Sequence, residues 1–317
     1  MLVVYALCML KIIFLTFASK PTELTKYPEI QFAAKRLTSQ ANTTGEFVSS
    51  IVVGWDDIEK FTNANHFSIP TDPNLYLFKP LLARMAISGY FGHADIYFYA
   101  DAGCEIINNN FAKADFKKMV NNAKKWGIYA EGTRYKDISW CKYELIELLN
   151  PPDSHLKSGQ VQATFFLISN GPKNANRVAS LIDEWVAIAL SNEGLYIGDL
   201  YDAKKQSDLF IFPRHDQSIF SLLLKKHNFR IFREKRRGFG KLPTSRGSNT
   251  FLHTSRNRTG ASQLPKYINN TNIGFLSMMA SPLLACHDFL SDRYIIRKQY
   301  KGYDPRTIAA KSGWELH

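Results

Sequence analysis

Cysteine is scarce in this 317-residue chain, and its four copies, Cys8, Cys104, Cys141 and Cys286, lie far apart with no Cys-x-x-Cys pair. That spacing supports neither a zinc site nor a disulfide framework, and a reducing cytosol is the simplest setting. Phosphate-binding loops are missing as well. There is no Gly-x-x-x-x-Gly-Lys-Ser/Thr sequence and no Gly-x-Gly-x-x-Gly after the first apolar run, so P-loop and dinucleotide-binding readings lose their main support. The absence of a Gly-x-Ser-x-Gly nucleophile elbow removes the usual sign of an α/β-hydrolase. Negative charge is short too: 28 acids against 40 lysines and arginines leave a net +12.

One long apolar run is present, Met1 to Ala18. It lacks a preceding basic residue, Lys11 interrupts it, and no small-residue cleavage pattern follows, so a signal peptide or membrane anchor is the weaker reading. Lys11 to Ala18 reads instead as a fully buried first strand of a parallel sheet, broken by Ser19-Lys20-Pro21. Hydrophobic residues make up 45% of the chain and aromatics 13%, enough for a sizeable core.

The positive charge is concentrated. Between Lys225 and Arg258 stand eleven lysines and arginines against Glu234 alone, which is +10 of the total +12 and leaves about +2 for the rest. Such a stretch suits a phosphorylated substrate, an anionic membrane or nucleic acid, and it equally suits a solvated basic face.

Along the chain a β-α-β rhythm is legible. Tyr27 to Gln40 reads as a helix and Glu46 to Gly54 as a second strand. A helix opens near Pro80 and ends near Gly89, and Asp95 to Ala100 is a third strand. Lys113 to Lys125 is a basic amphipathic helix, Gly127 to Ala130 a short strand, and Trp140 to Leu149 a helix stopped by Pro151-Pro152. Gln160 to Ser169 reads as one strand. The next helix sets Val178, Leu181, Ile182, Trp185 and Ala189 on one apolar stripe, which is core packing and not a cofactor box. Asp199 to Phe212 reads as a loop ending in a short strand, Asp216 to Lys226 as a helix, and Phe229 to Phe232 as the last clear strand. Residues 233 to 275, rich in Arg, Gly, Ser, Asn and Thr, read as loop.

Three places carry candidate chemistry. The apolar run Ile96-Tyr-Phe-Tyr-Ala stops at Asp101, followed by Ala102 and Gly103. Open α/β sheets bind ligands beyond their strand carboxyl ends, where a carboxylate is tolerated; a simple Asp-Ala-Gly turn is the alternative. Asp216-Gln217 opens a helix, where Asp also serves as an ordinary cap. The third is Phe251-Leu-His253-Thr-Ser-Arg256-Asn-Arg258, a loop rich in arginine and histidine.

In this order and context the chain resembles the nucleotide-sugar glycosyltransferases of the GT-A type, in the branch with glycogenin-like and lipopolysaccharide galactosyltransferase-like enzymes. There a strand ends in Asp-x-Asp, a later helix opens with Asp-Gln, and a distal His completes a metal site. The matching positions are Asp101 in Tyr-Ala-Asp-Ala-Gly, Asp216-Gln217 in Arg-His-Asp-Gln-Ser-Ile-Phe, and His253 in Phe-Leu-His, within residues 11 to 258. The resemblance implies an α/β GT-A-like fold with a mostly parallel central sheet flanked by helices. It also implies one catalytic domain over 1–317, with an α/β core over 11–232 and a loop-rich basic segment and C-terminal extension over 233–317.

For chemistry, it implies transfer of a sugar from a nucleotide-sugar donor to a cell-surface glycan or a lipid-linked, lipopolysaccharide-type acceptor. Mn²⁺ or Mg²⁺ is expected on Asp101 and His253, and the donor diphosphate along Lys79, Asp101, Ala102, Gly103, Arg256 and Arg258. Asp216 is expected as general base or hydroxyl-binding group, and Gln217 as the residue that orients the sugar. The departure is Gly103, which stands where the family has its second aspartate and puts metal dependence in question. A cytoplasmic setting is expected, with peripheral contact at the inner membrane face. The rival readings are a nucleic-acid-binding protein using residues 225–258, which gives Asp101 no role, and an inactive sugar-binding member of the same fold.

The reading of the first apolar run implies the expectation that Met9 is the natural start. A protein beginning there is expected to be fully soluble and active; loss of folding, measured by circular dichroism, overturns the reading of the first apolar run.

Overall fold

In the computed structural model the described residues are 10–18, 29–69, 75–191, 196–197, 201–233, 250–254 and 261–262. Ile12–Phe17 forms β1, with every residue buried. Helix α1 (Glu29–Thr44) leads to β2 (Ser49–Val53), which lies parallel to β1. After α2 (Trp55–Ala64), a 3-10 turn at Leu75–Leu77 runs into α3 (Phe78–Ile87), with Pro80 in its first turn. Then β3 (Ile96–Ala100) pairs parallel to the other side of β1.

The chain continues through β4 (Glu105–Ile106), α4 (Asn110–Trp126), β5 (Ile128–Tyr129) and β6 (Glu131–Lys136). Next come α5 (Tyr143–Leu149), α6 (Asp153–Lys157), β7 (Gly159–Val161) and β8 (Phe165–Ser169). The last described elements are α7 (Ala175–Leu190), α8 (His215–Lys226), β9 (Phe232–Arg233) and β10 (Leu252–His253).

The central sheet has the order β2-β1-β3-β8-β5. Only β8 runs against its neighbours, so β2, β1, β3 and β5 share a direction. The α/β class and the mostly parallel sheet expected from the sequence are therefore present. Two small sheets flank it: β10 with β4, and β7-β6-β9.

Strand pleating divides the core into two layers. Ile13, Leu15, Tyr97, Tyr99, Phe166 and Ile168 face one layer, with α3, α7 and α8; the expected stripe Val178, Leu181, Ile182, Trp185 and Ala189 is buried there. Ile12, Phe14, Ile96, Phe98, Phe165 and Leu167 face the other, with Leu37 of α1 and Phe116 and Met119 of α4. Both faces being covered explains why these strands read as continuous apolar runs.

Several boundaries differ from expectation. Gln160 to Ser169 is two strands in two sheets, because the backbone changes partners midway: the Val161 N–H donates to Ser221 Oγ and the Gln162 N–H to the Glu131 carbonyl, while the Thr164 carbonyl accepts from Asp101. The helix expected from Trp140 starts only at Tyr143, after a 3-10 turn at Asp137–Ser139 whose Asp137 carbonyl accepts from the Trp140 N–H. The Phe229 N–H closes the end of α8 on the Leu224 carbonyl, so the final strand of this region shrinks to Phe232–Arg233. No strand occurs in the described part of 199–212. Leu252–His253, expected in a loop, pairs antiparallel with Glu105–Ile106. Cys104 and Cys141 are buried free thiols. Among the described residues no helix is long and apolar enough to cross a membrane.

The last turn of α8 carries a buried ion pair, Lys225 with Asp137, whose carboxylate also accepts from Ser221 Oγ at 2.9 Å. Removing one partner of such a pair strands a buried charge, at a cost of about 3–5 kcal/mol. Asp137→Ala is expected to lose stability in that range in urea unfolding, and the double variant Asp137→Ala/Lys225→Met to recover much of it.

Candidate active site

The pleat places the candidate residues. Asp101 follows β3 with the same parity as Tyr97 and Tyr99, so it falls on the α3–α8 side of the sheet. Lys79, in the first turn of α3, and Asp216, in the first turn of α8, approach from that side. The Lys79 ammonium lies 3.1 Å from Asp101 Oδ1 and 3.1 Å from Asp216 Oδ2. The Tyr99 hydroxyl donates to Asp101 Oδ1 at 2.5 Å. Lys79 and Asp216 are almost fully buried, whereas 37% of the Asp101 side chain is exposed.

The electrostatics follow from this burial. Desolvation alone would lower the Lys79 pKa, but the charges of Asp101 and Asp216 outweigh it and raise it. Burial pushes Asp216 above the ordinary carboxylate range, and Asp101 adds to the push while Lys79 opposes it. Burial, then the neighbouring Asp101, holds Tyr99 firmly protonated. One ammonium stands against two carboxyl groups, so the cluster carries no surplus of positive charge. An anionic ligand here therefore requires further positive charge or a proton on Asp216.

Backbone strain sits at the same place. His215 has φ +44°, left-handed for a side-chain-bearing residue, directly before Asp216. Its ring stacks on Tyr76 with centroids 3.9 Å apart. Strain of this kind costs on the order of 1–3 kcal/mol and persists only where packing over-determines it. The Asp216 carboxylate engages Lys79, so this residue is not an ordinary helix cap.

Gln217 is held beside the site by the link between β7 and β8. Its Nε2 donates to Gln160 Oε1 at 2.7 Å, and its Oε1 accepts from the Ala163 N–H at 3.4 Å. The Thr164 carbonyl in the same link accepts from the Asp101 N–H at 2.8 Å. Residues 163 and 164 thus join Asp101 to Gln217.

The turn after Asp101 is closed by the Cys104 N–H donating to the Asp101 carbonyl at 2.9 Å. From beneath, the buried Arg36 guanidinium of α1 donates to the carbonyls of Ala102 at 3.1 Å and Cys104 at 2.8 Å. Gly103 lies between these two anchored carbonyls.

Two residues near the site escaped the sequence reading. Arg36 is one; nothing local marks a helical arginine as the support of a turn 66 residues away. Glu131 is the other: it is fully buried, and its Oε1 accepts from the Tyr129 hydroxyl at 2.6 Å. Here a signal existed, since Tyr129-Ala130-Glu131 repeats the pattern Tyr99-Ala100-Asp101. In both, the tyrosine hydroxyl reaches the acid two residues on.

His253 lies on β10 opposite Glu105, 1% exposed, with neither ring nitrogen in a hydrogen bond. Burial lowers its pKa against the opposing charge of Glu105, which keeps the imidazole neutral and its lone pair available. A neutral, unpartnered buried imidazole and a half-exposed strand-end carboxylate are chemically suited to a divalent cation. Among the described residues, however, no three His, Cys, Asp or Glu side chains gather closely enough to hold an ion. Arg256 and Arg258 lie outside the described residues.

Sequence comparison finds no matching protein-family model and no matching curated protein. By structure the chain is similar to mouse xyloside xylosyltransferase 1, with 9% identity over 74% of this chain and 88% of that one and a TM-score of 0.41. It is also similar to a glycosyltransferase involved in glycosylation of the major capsid of PBCV-1, at 8% identity over 78% and 95% of the two chains and a TM-score of 0.43. The galactosyltransferase LgtC, in complex with donor and acceptor sugar analogues, gives 12% identity over 74% and 76% and a TM-score of 0.36.

The site's pH response has a definite sign. Lys79→Met leaves the Asp216 carboxylate buried without its cation, a penalty that protonation relieves. Because the Asp216 pKa is raised, the stability tied to its protonated form is present at low pH and lost as pH rises through that value. The melting-temperature deficit of Lys79→Met against wild type is therefore expected to be smaller at pH 5 than at pH 8 by calorimetry.

Proposed function

We propose that this protein is a GT-A-type glycosyltransferase that moves a sugar from a nucleotide-sugar donor to a cell-surface glycan or lipid-linked acceptor. The observation that carries the reading is the Asp101–Lys79–Asp216 cluster at the carboxyl end of β3, with Gln217 tied to Asp101 through one short link. A buried, charge-coupled cluster at a sheet's carboxyl edge is where α/β enzymes place their chemistry. A nucleic-acid-binding reading leaves this cluster without a purpose.

In this reading Lys79 donates to oxygens of the donor, its charge held in place by the two carboxylates. Asp216, whose proton affinity burial raises, suits exchange of a proton with a hydroxyl. Gln217 orients the transferred sugar. Asp101 and His253 would hold Mn²⁺ or Mg²⁺ together with diphosphate oxygens and water, and such an ion supplies Lewis-acid neutralisation of the leaving group. Gly103 removes one carboxylate from that set and lets a ligand approach the backbone. Arg256 and Arg258, with the basic stretch 225–258, are assigned to the diphosphate or to an anionic acceptor or membrane face. An inactive sugar-binding role is the second reading, favoured by Gly103 alone.

A panel of nucleotide-sugars with and without Mn²⁺ tests the proposal through thermal unfolding. A bound donor at about 100 times its dissociation constant adds about 2.7 kcal/mol of stability, and Asp101→Asn is expected to lose most of that gain. Asp216→Asn is expected to lower turnover about 100-fold or more while keeping donor binding. If no nucleotide-sugar shifts the wild-type transition, the donor-site reading fails. Binding without transfer selects the inactive alternative.

A further inference from the structure

Resting on the glycosyltransferase reading for its functional meaning, but on geometry for its substance, one further role emerges behind Gln217. We infer that Gln160 and Ser218 are positioning residues that fix which end of the Gln217 amide faces the site, presenting its oxygen and not its nitrogen to a sugar hydroxyl.

Hydrogen-bond polarity carries the argument, starting from groups whose polarity is not in question. The Trp140 carbonyl can only accept, and it lies 2.6 Å from Ser218 Oγ, so the single hydroxyl proton of Ser218 is spent on it. The Arg214 backbone N–H, which can only donate, is shared between that carbonyl at 3.1 Å and Ser218 Oγ at 3.2 Å. Ser218 Oγ is therefore left as an acceptor toward Gln160, at 3.4 Å, and the Gln160 atom turned to it is the amide nitrogen.

A second line gives the same answer. The Cys141 thiol has two neighbours it can donate to, Asp137 Oδ1 at 3.5 Å and the Ser218 carbonyl at 4.0 Å. Its sulfur is thus the receiving side toward Gln160, whose Nε2 lies 3.9 Å away. With its nitrogen committed inward, Gln160 offers Oε1 to Gln217 at 2.7 Å, and only the nitrogen of Gln217 can answer. Gln217 Oε1 is then directed to the Ala163 N–H at 3.4 Å, a long contact that leaves its second lone pair open.

The orientation has a chemical consequence. An amide turned this way accepts a hydrogen bond from a sugar hydroxyl, whereas the flipped amide would present N–H groups to the same place and spend its oxygen inward. Gln160 is fully buried and Gln217 partly exposed, so the relay runs from the core to the surface of the site.

The test pairs variants that break the relay with one that preserves it. Gln160→Met removes the acceptor with little change of volume, Ser218→Ala removes the polarity source, and Gln160→Glu keeps an acceptor facing Gln217. The first readout is ¹⁵N NMR of the Gln217 side-chain amide, assigned by its loss in Gln217→Ala, which requires no enzymatic activity. In wild type and Gln160→Glu its protons are expected to be protected from exchange; in Gln160→Met that protection is lost, and in Ser218→Ala, where Cys141 alone still orients the Gln160 amide, it is reduced. The second is kinetics with the donor that stabilises the wild type. Gln160→Met is expected to lower kcat about 10- to 100-fold, Gln160→Glu to restore much of it, and Gln160→Met to have no further effect in a Gln217→Ala background.

Unchanged amide protection in both breaking variants overturns the inference, as does a Gln160→Met loss that persists in the Gln217→Ala background. Should the wild type transfer no sugar, the NMR readout still decides the relay, while the glycosyltransferase reading falls separately.

Discussion

A buried ammonium needs compensation from every side, and in this molecule the requirement falls on Lys79. Its two partners come from different elements, Asp101 from the end of β3 and Asp216 from the start of α8, while Lys79 itself rides on α3. No one of these elements satisfies the charge alone, so helix, strand and helix must be packed in register before the cluster is stable. The ion pairs therefore couple the packing of one core layer directly to the geometry of the site. Helix α8 carries the same logic at both ends. Asp216 ties its first turn to Lys79, and Lys225 ties its last turn to Asp137. The acid at the amino end and the base at the carboxyl end also agree with the helix dipole.

The large elements were legible because they are covered on both sides. β1, β3 and the segment that becomes β8 are uninterrupted apolar runs, and the place where such a run stops at a carboxylate marks Asp101 without any structural knowledge. Asp216-Gln217 was legible as a helix opening of unusual chemistry. The elements that were not legible are short and owe their existence to remote partners. Leu252–His253 is a strand only because Glu105–Ile106 lies beside it, and the break at residues 162–164 arises from bonds to Ser221, Glu131 and Asp101. Two residues of a strand have no periodicity to read. Arg36 and Lys79 illustrate the same division: the first is invisible locally, while the second was selected for its charge and its two carboxylate partners came from the fold.

Gly103 acquires a physical setting from its neighbours. The carbonyls on either side are held by Arg36, so the turn is anchored through backbone and not through a second carboxylate. Positive charge is thus built in beneath the turn by Arg36 and beside it by Lys79. The local balance around Asp101 differs from that of a two-aspartate turn, and the residues that tune it come from α1 and α3.

The repeated Tyr-Ala-acid unit has a wider consequence. Tyr99 belongs to one core layer and Tyr129 to the other, yet each hands a hydroxyl to the acid two residues beyond it. Each acid thus receives its donor from a tyrosine at the end of a central-sheet strand, β3 for Asp101 and β5 for Glu131, and the two tyrosines belong to separate layers of packing. A substitution that repacks one layer therefore reaches one acid through its tyrosine and leaves the tyrosine of the other in place.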